Sequence, residues 1–127
     1  MGEQVAMPVV LNRTFRFESA HRLPKHRGVC FNMHGHSYGL RVALETGIDP
    51  DTGMGCDFSD IDATVRERVL ALADHRNLND VLDNPTAENI CVWIWGRLDG
   101  VLPGRLIEVE LHETADCSCI YRGPAAA

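Results

Sequence analysis

The fold is decided by two stretches of alternating sequence, VVLNRTFRFESAH at residues 9–21 and HGHSYGLRVAL at residues 34–44. Bulky apolar residues occupy the odd positions of the first stretch and the even positions of the second. Because side chains on a strand alternate between its two faces, each pattern predicts a strand with one buried face. We place these strands at about residues 8–21 and 34–46.

Three histidines share the parity of the apolar residues in these stretches. His21 has the parity of Phe17, whereas His34 and His36 have the parity of Leu40. On two adjacent strands, the three imidazoles would point to one face and could meet around a single ion. Three neutral imidazoles suit zinc and leave a fourth position open, as in catalytic zinc sites. The competing interpretation is that each histidine is a satisfied core or edge residue.

Length and composition limit the possible classes of protein. The 127 residues predict one domain covering 1–127, and the 45% hydrophobic and 24% charged content is ordinary for a globular protein. A net charge of −6 argues against nucleic-acid binding through the phosphate backbone. There is no apolar run long enough to span a membrane, and no export signal is visible. With an odd number of cysteines, five, the chain is expected to be cytoplasmic with reduced thiols.

Further along the chain, the pattern changes to helical spacing and then back to alternation. A helix is expected from Ser59, with Asp62 completing a capping box, to about Ala73. A second helix is expected after Pro85, with Thr86 as N-cap and Gly100 as C-cap. Strands follow at 106–113 and at about 117–122, with the side chains of Ile107, Val109 and Leu111 on one face of the former. The order β-β-α-α-β-β predicts an α+β fold, an antiparallel sheet with both helices on one face.

Several polar residues outside the histidines are candidates for chemistry. Glu113 continues the apolar parity of its strand, so it is either exposed beyond the strand end or placed in a pocket to bind a ligand. Asp74 and His75 form a pair if the first helix stops there, although a histidine at a helix C-terminus is also favoured by the helix dipole. The thiolate of Cys30, favoured by Lys25, Arg27 and a metal, could accept a proton, or it could complete a closed zinc site.

Two further segments have both a structural and a functional interpretation. Thr86 and Glu88 open the second helix and are explained mostly by capping. The basic segment formed by Arg22, Lys25, His26 and Arg27 precedes Cys30. It is either a solvated loop or a surface that faces an anionic substrate.

The motifs occur in a characteristic order: FESAH at 17–21, CFNMHGHSY at 30–38, DHRNLN at 74–79, PTAEN at 85–89 and HET at 112–114. In this, the chain resembles the 6-pyruvoyltetrahydropterin synthase / 6-carboxytetrahydropterin synthase family from about Arg13 to Tyr121. The resemblance implies the tunnelling fold, a four-stranded antiparallel sheet with two helices on one side. It also implies homo-oligomers, either trimers or hexamers, with active sites between subunits.

The resemblance further implies a role for each candidate residue. The zinc ligands fall on His21, His34 and His36, the catalytic cysteine on Cys30, and the Asp–His pair on Asp74 and His75. The pterin-anchoring glutamate falls on Glu113, and Thr86 and Glu88 match positions near the pterin pocket. The implied substrate is 7,8-dihydroneopterin triphosphate.

The spacing of Cys30, four residues before His34, is similar to the carboxy-forming branch. That branch makes 6-carboxy-5,6,7,8-tetrahydropterin for queuosine and other 7-deazaguanine compounds. Two alternatives stay open, the pyruvoyl product of the same family and a non-catalytic, zinc-stabilised binding module.

Overall fold

The two alternating stretches form the central hairpin of the molecule. A computed structural model describes residues 7–125, in which β1 (Val9–His21) pairs antiparallel with β2 (His34–Thr46). In this register, Phe17 lies opposite Tyr38 and His21 lies opposite His34. Both predicted strands are confirmed, and their apolar parity matches the buried face.

Three more strands complete the sheet in the order β3-β1-β2-β4-β5. β4 (Arg105–His112) and β5 (Ser118–Tyr121) are antiparallel, as expected, whereas β3 (Arg76–Asn77) runs parallel to β1. The α+β class is confirmed, but the prediction of four antiparallel strands is corrected to five strands in a mixed sheet. The chain leaving the first helix passes along the outer edge of β1, and two residues are enough to pair with its backbone groups.

The first helix comprises an α-helical part at Phe58–Val65, a π-helical turn at Arg66–Leu70 and a last turn at Ala71–Ala73. Its N-cap is Asp57, whose carboxylate accepts the Ser59 N–H at 2.8 Å. The predicted Ser59–Asp62 capping box is therefore wrong. Asp62 instead accepts a hydrogen bond from Arg13 at 2.7 Å, which ties the helix to β1.

The second helix, Ala87–Leu98, begins as expected, but its C-cap is Asp99 and not the predicted Gly100. The Thr86 hydroxyl accepts the Asn89 N–H at 3.1 Å, so Thr86 is the N-cap. Asp99 caps the C-terminus, and Gly100 follows it with φ +82°, a left-handed conformation that glycine adopts without steric cost.

The core lies between the helices and one face of the sheet. Its wholly buried members include Leu40, Ile61, Ile90 and Leu111. One detail of β4 differs from the expected alternation: a register shift at Ala43/Leu44 pairs Leu106 with Leu44, so Leu106 is buried and Ile107 only partly so.

The opposite face of the sheet is polar. The Arg41 guanidinium binds the carboxylates of Glu108 and Glu110, and this pairing lowers the pKa of both acids. Within residues 7–125, no helix combines the length and apolar character needed to cross a membrane.

Candidate metal centre

The three predicted imidazoles converge at one end of the central hairpin. One ring nitrogen from each of His21, His34 and His36 lies within 4.8 Å of the other two. The Nε2 atoms of His21 and His34 are 2.9 Å apart, because these residues face each other across the strand pair. His36 follows His34 by two positions and therefore points to the same face.

Hydrogen bonds on the far side of two rings determine which nitrogen faces the centre. His21 Nδ1 lies 2.8 Å from the Pro85 carbonyl, and His34 Nδ1 lies 2.8 Å from the Asn32 carbonyl. A carbonyl only accepts, so both Nδ1 atoms carry the proton and both Nε2 atoms present lone pairs. Such hydrogen bonds are typical of histidines that bind metals.

The arrangement of the facing nitrogens is favourable with a cation between them and unfavourable without one. Two lone pairs at 2.9 Å repel each other unless a positive charge lies between them. Among the side chains of residues 7–125, His36 Nε2 is one of three buried polar atoms without a hydrogen-bond partner. Three imidazole donors, one of them orphaned, match the ligands that zinc and similar divalent ions take.

Burial keeps the imidazole of His21 in its neutral form. Desolvation lowers the pKa of His21 below the ordinary 6.5, and the neighbouring His34 and His36 lower it further. The hydrogen bond to Pro85 and the charge of Glu113 oppose this shift without cancelling it. A neutral imidazole is the form that binds a metal.

This shift predicts how the metal-free protein responds to acid. Unfolded His21 takes up a proton near pH 6.5, whereas folded His21 does so only at lower pH. The stabilisation is therefore complete above pH 6.5 and is lost as the pH falls towards the lower folded pKa. Urea denaturation of EDTA-treated protein between pH 7.5 and 5.5 measures this loss. His26→Ala, in an exposed loop, should leave the slope unchanged; a flat profile in the unmodified protein would contradict the prediction.

Glu113 stands beside the imidazole cluster. Its carboxylate oxygens lie 3.8 Å from His21 Nε2 and 3.7 Å from His36 Nε2, and its side chain is 28% exposed. β4 ends one residue earlier, at His112. Glu113 is thus neither buried in the core nor free in solvent, but lies at the accessible side of the cluster.

Cys30 lies in the short 3₁₀ turn Val29–Phe31 and is half-buried. Its carbonyl accepts the Leu23 N–H at 2.9 Å. Its sulfur is not part of the group of mutually close ligand atoms that the imidazoles form. This geometry favours an open three-histidine site over a closed site with sulfur as the fourth ligand.

Asp74 and His75 follow the last helical turn, as the pair interpretation requires. His75 has φ +55°, and its Nε2 lies 3.6 Å from Asp74 Oδ1. The pair is attached to β1, because Asp74 Oδ1 accepts the Glu18 N–H at 2.9 Å and the His75 N–H donates to the Glu18 carbonyl at 2.6 Å. His75 and His36 line one open groove.

Glu88 and Thr86 are placed differently by the start of the second helix. Glu88 lines a small cavity together with Glu113 and Cys117. The Thr86 hydroxyl is occupied by the helix cap. The structure thus brings Glu88 to the same cavity as Glu113 and provides a capping role for Thr86.

Two groups around the cluster were not singled out from the sequence. The Tyr38 side chain is fully buried, its hydroxyl lies 3.3 Å from His21 Nδ1, and burial raises the pKa of the phenol, as does Glu113. Its parity with His34 and His36 could have identified it. The Pro85 carbonyl has no such signal, because it comes from 64 residues away along the chain.

Comparisons with known proteins agree with one another. The family model for 6-pyruvoyl tetrahydropterin synthase matches residues 10–124. A 6-carboxy-5,6,7,8-tetrahydropterin synthase from Synechocystis is 38% identical over 122 residues, covering 91% of this chain and 94% of the relative. A 6-pyruvoyl tetrahydrobiopterin synthase from Dictyostelium discoideum is 35% identical over 130 residues, covering 91% and 96%. The solved structure of Caenorhabditis elegans 6-pyruvoyl tetrahydropterin synthase superposes with a TM-score of 0.85 at 28% identity, covering 96% of this chain and 100% of that one.

Proposed function

The chain belongs to the 6-pyruvoyl tetrahydropterin synthase family, and we propose that it is a zinc-dependent lyase acting on 7,8-dihydroneopterin triphosphate. The proposed product is 6-carboxy-5,6,7,8-tetrahydropterin, formed with loss of triphosphate and acetaldehyde, as a precursor of queuosine and other 7-deazaguanine compounds in the cytoplasm. The observation that carries the proposal is the set of three converging imidazoles beside the carboxylate of Glu113.

His21, His34 and His36 would hold the zinc ion through their ring nitrogens. When bound, zinc supplies Lewis acidity that polarises the oxygens of the substrate side chain and acidifies the adjacent C–H bonds. The protein's contribution is to keep the His21 imidazole neutral and to orient the rings of His21 and His34. Burial of His21 and the carbonyls of Pro85 and Asn32 do this.

Cys30 and the Asp74–His75 pair are the proposed proton carriers. Cys30, as a thiolate, would remove a proton from the substrate side chain, and His75 would donate or relay one. Asp74 Oδ1 lies 3.6 Å from His75 Nε2, close enough to orient the ring. The 78% exposure of the His75 side chain leaves the ring accessible to a bound substrate.

Glu113 is the proposed anchor for the pterin ring. A carboxylate can accept two parallel N–H hydrogen bonds from the guanidine-like edge of a pterin. Its position within 4 Å of two imidazoles would place the bound substrate's side chain at the metal. Glu88, on the wall of the same cavity, and Thr86, at the helix start, complete the proposed pocket.

The exposed basic loop is the proposed contact for the triphosphate. Replacing both Lys25 and Arg27 by alanine should raise KM about tenfold, because each cation forms charge-assisted hydrogen bonds to phosphate. The effect should shrink at high salt. Steady-state kinetics at two ionic strengths measure this, and Arg105→Ala, which removes one exposed cation from β4, is a control for the loss of charge elsewhere on the surface. An unchanged KM in the double variant would remove the loop from the substrate site.

The carboxy product is favoured by the spacing between Cys30 and His34, whereas the names of the relatives support either product. The second candidate is therefore 6-pyruvoyltetrahydropterin formation, which eliminates triphosphate and retains the side-chain carbons. Incubation of the zinc-loaded protein with 7,8-dihydroneopterin triphosphate, followed by mass spectrometry of the pterin, distinguishes them. Release of acetaldehyde supports the carboxy product, and its absence with triphosphate release supports the pyruvoyl product.

A homo-oligomer, either a trimer or a hexamer, is part of the proposal. Apart from its pairing with β3 at Ser19 and Ala20, β1 has no strand on its outer side within residues 7–125, and β5 ends the sheet on the other side. Exposed strand edges of this kind are commonly covered by another chain. Light scattering of the purified protein determines the number of chains.

A further inference from the structure

The loop at residues 22–33 joins β1 to β2 and carries Cys30. Hydrogen bonds within the loop set its shape: the Leu23 N–H donates to the Cys30 carbonyl at 2.9 Å, and the His26 N–H donates to the Leu23 carbonyl at 3.0 Å. The Arg22 guanidinium lies over the Phe31 ring, 5.2 Å from its centroid. These contacts close the loop on itself but do not attach it to the rest of the protein.

Asn79 supplies that attachment. Its Oδ1 accepts the Arg22 N–H at 2.7 Å, and its Nδ2 donates to the Arg22 carbonyl at 2.9 Å. Across residues 7–125, these are the two hydrogen bonds that join residues 22–33 to any part of the chain beyond the β1–β2 hairpin. Arg22 precedes Leu23, the residue that bonds to the Cys30 carbonyl, so the attachment lies at the base of the loop.

The local fold explains why an asparagine side chain occupies this position. β3 pairs in parallel with Ser19 and Ala20 and then turns away into the 3₁₀ helix Leu78–Asp80. Leu78 is wholly buried, and Asn77 Oδ1 accepts the Asn79 N–H at 3.0 Å, which together hold this turn. The Asn79 amide therefore takes the place of the peptide group that a longer β3 would offer to Arg22.

The same short segment carries the Asp74–His75 pair at its start. Asp74 and His75, which lie five and four residues before Asn79, are hydrogen-bonded to the Glu18 backbone. One segment, residues 74–79, thus fixes both the pair and the loop against β1. We propose that Asn79 is a positioning residue: it fixes the base of the Cys30 loop and so keeps the position of Cys30 relative to His75 constant. The consequence for catalysis rests on the proposed function, whereas the consequence for loop mobility does not.

The chain offers an unusually direct probe of the loop. Lys25 is the one lysine in the sequence, so a lysine-specific endoprotease has a single cleavage site, and it lies in this loop. Asn79→Ala should raise the cleavage rate at Lys25 about tenfold to a hundredfold, because both hydrogen bonds at the base of the loop are lost. Zinc per chain should stay unchanged, since the three histidines lie on paired strands. Turnover should fall about tenfold or more as Cys30 loses its position.

Two variants separate this role from general loosening of the fold. Asn77→Ala removes one hydrogen bond of the same turn but keeps the buried Leu78 and both hydrogen bonds between Asn79 and Arg22, so it should be cleaved much more slowly than Asn79→Ala. Asn79→Asp keeps an acceptor for the Arg22 N–H but has no donor for the Arg22 carbonyl. Its cleavage rate at Lys25 should therefore lie between those of Asn79→Ala and the unmodified protein. If Asn79→Ala does not fold, Asn79→Asp replaces it in the comparison. Equal cleavage of Asn79→Ala and the unmodified protein, or of Asn79→Ala and Asn77→Ala, would overturn the proposal. If the unmodified protein does not turn over the pterin while Asn79→Ala is cleaved faster, the proposed function fails and the attachment role stands.

Discussion

Replacing His34 by alanine should reduce bound zinc from the proposed one ion per chain to almost none and lower turnover about a thousandfold or more. His34 supplies one of three ring nitrogens that lie within 4.8 Å of one another, and its Nδ1–H is already committed to the Asn32 carbonyl. The two remaining imidazoles should bind the proposed ion much more weakly than three do. A metal that contributes several kcal/mol of transition-state stabilisation accounts for a loss of this size.

Elemental analysis of protein purified without added metal, together with the turnover number, checks this expectation. His112→Ala is a suitable control, because His112 lies on β4 but bonds to Glu110 at 3.0 Å on the polar face of the sheet. It should keep its zinc. If His34→Ala retained zinc at the unmodified stoichiometry, the three-histidine centre would be refuted, and with it the proposed chemistry.

Replacing Cys30 by alanine should have the opposite combination of effects, with zinc retained and turnover lowered by about 10² to 10⁴. The sulfur lies outside the group of imidazole ligands, so its removal leaves that group intact. The residue is half-buried in a surface turn, so the loss of one sulfur atom should change the free energy of unfolding little. Cys30→Ala therefore tests the proposed proton transfer separately from metal binding and stability.

Zinc analysis and single-turnover kinetics of the same preparation separate the two functions. Cys56→Ala is the matched control, because this half-buried cysteine precedes the first helix, lies outside the proposed pterin pocket and should support normal turnover. Loss of zinc in Cys30→Ala would instead make the sulfur a ligand and revive the closed, non-catalytic site. Near-normal turnover would show that another group removes the proton.

The local sequence pattern was sufficient to predict a strand or helix wherever one face of that element is buried along its whole length. The parity of Phe17 and Leu40 predicted β1 and β2 together with the side on which the histidines lie. The Thr86 cap was also readable, since the capping hydroxyl and the N–H it accepts are three residues apart. In each case, the physical cause operates over a few residues.

Prediction from sequence pattern failed where two nearby residues could play the same role, and where a residue's position depends on a partner that is distant in the sequence. Asp57 and Ser59 are both good capping residues, and only the path of the chain selects Asp57. The register shift between β2 and β4 buries Leu106 instead of Ile107, because pairing with Ala43 and Leu44 outweighs simple alternation. The two-residue β3 is too short to leave a periodic signal.

The sequence by itself determined which histidines face the same side of one hairpin, because strand periodicity and the direction of a side chain are local properties of the backbone. Only the tertiary structure decided the state and surroundings of those rings. The carbonyl that orients His21 comes from Pro85, 64 residues away, and the amide that attaches the Cys30 loop comes from Asn79, 57 residues from Arg22. Such contacts form only when the helices pack on the sheet and bring distant segments to its edge, and no spacing along the chain encodes them.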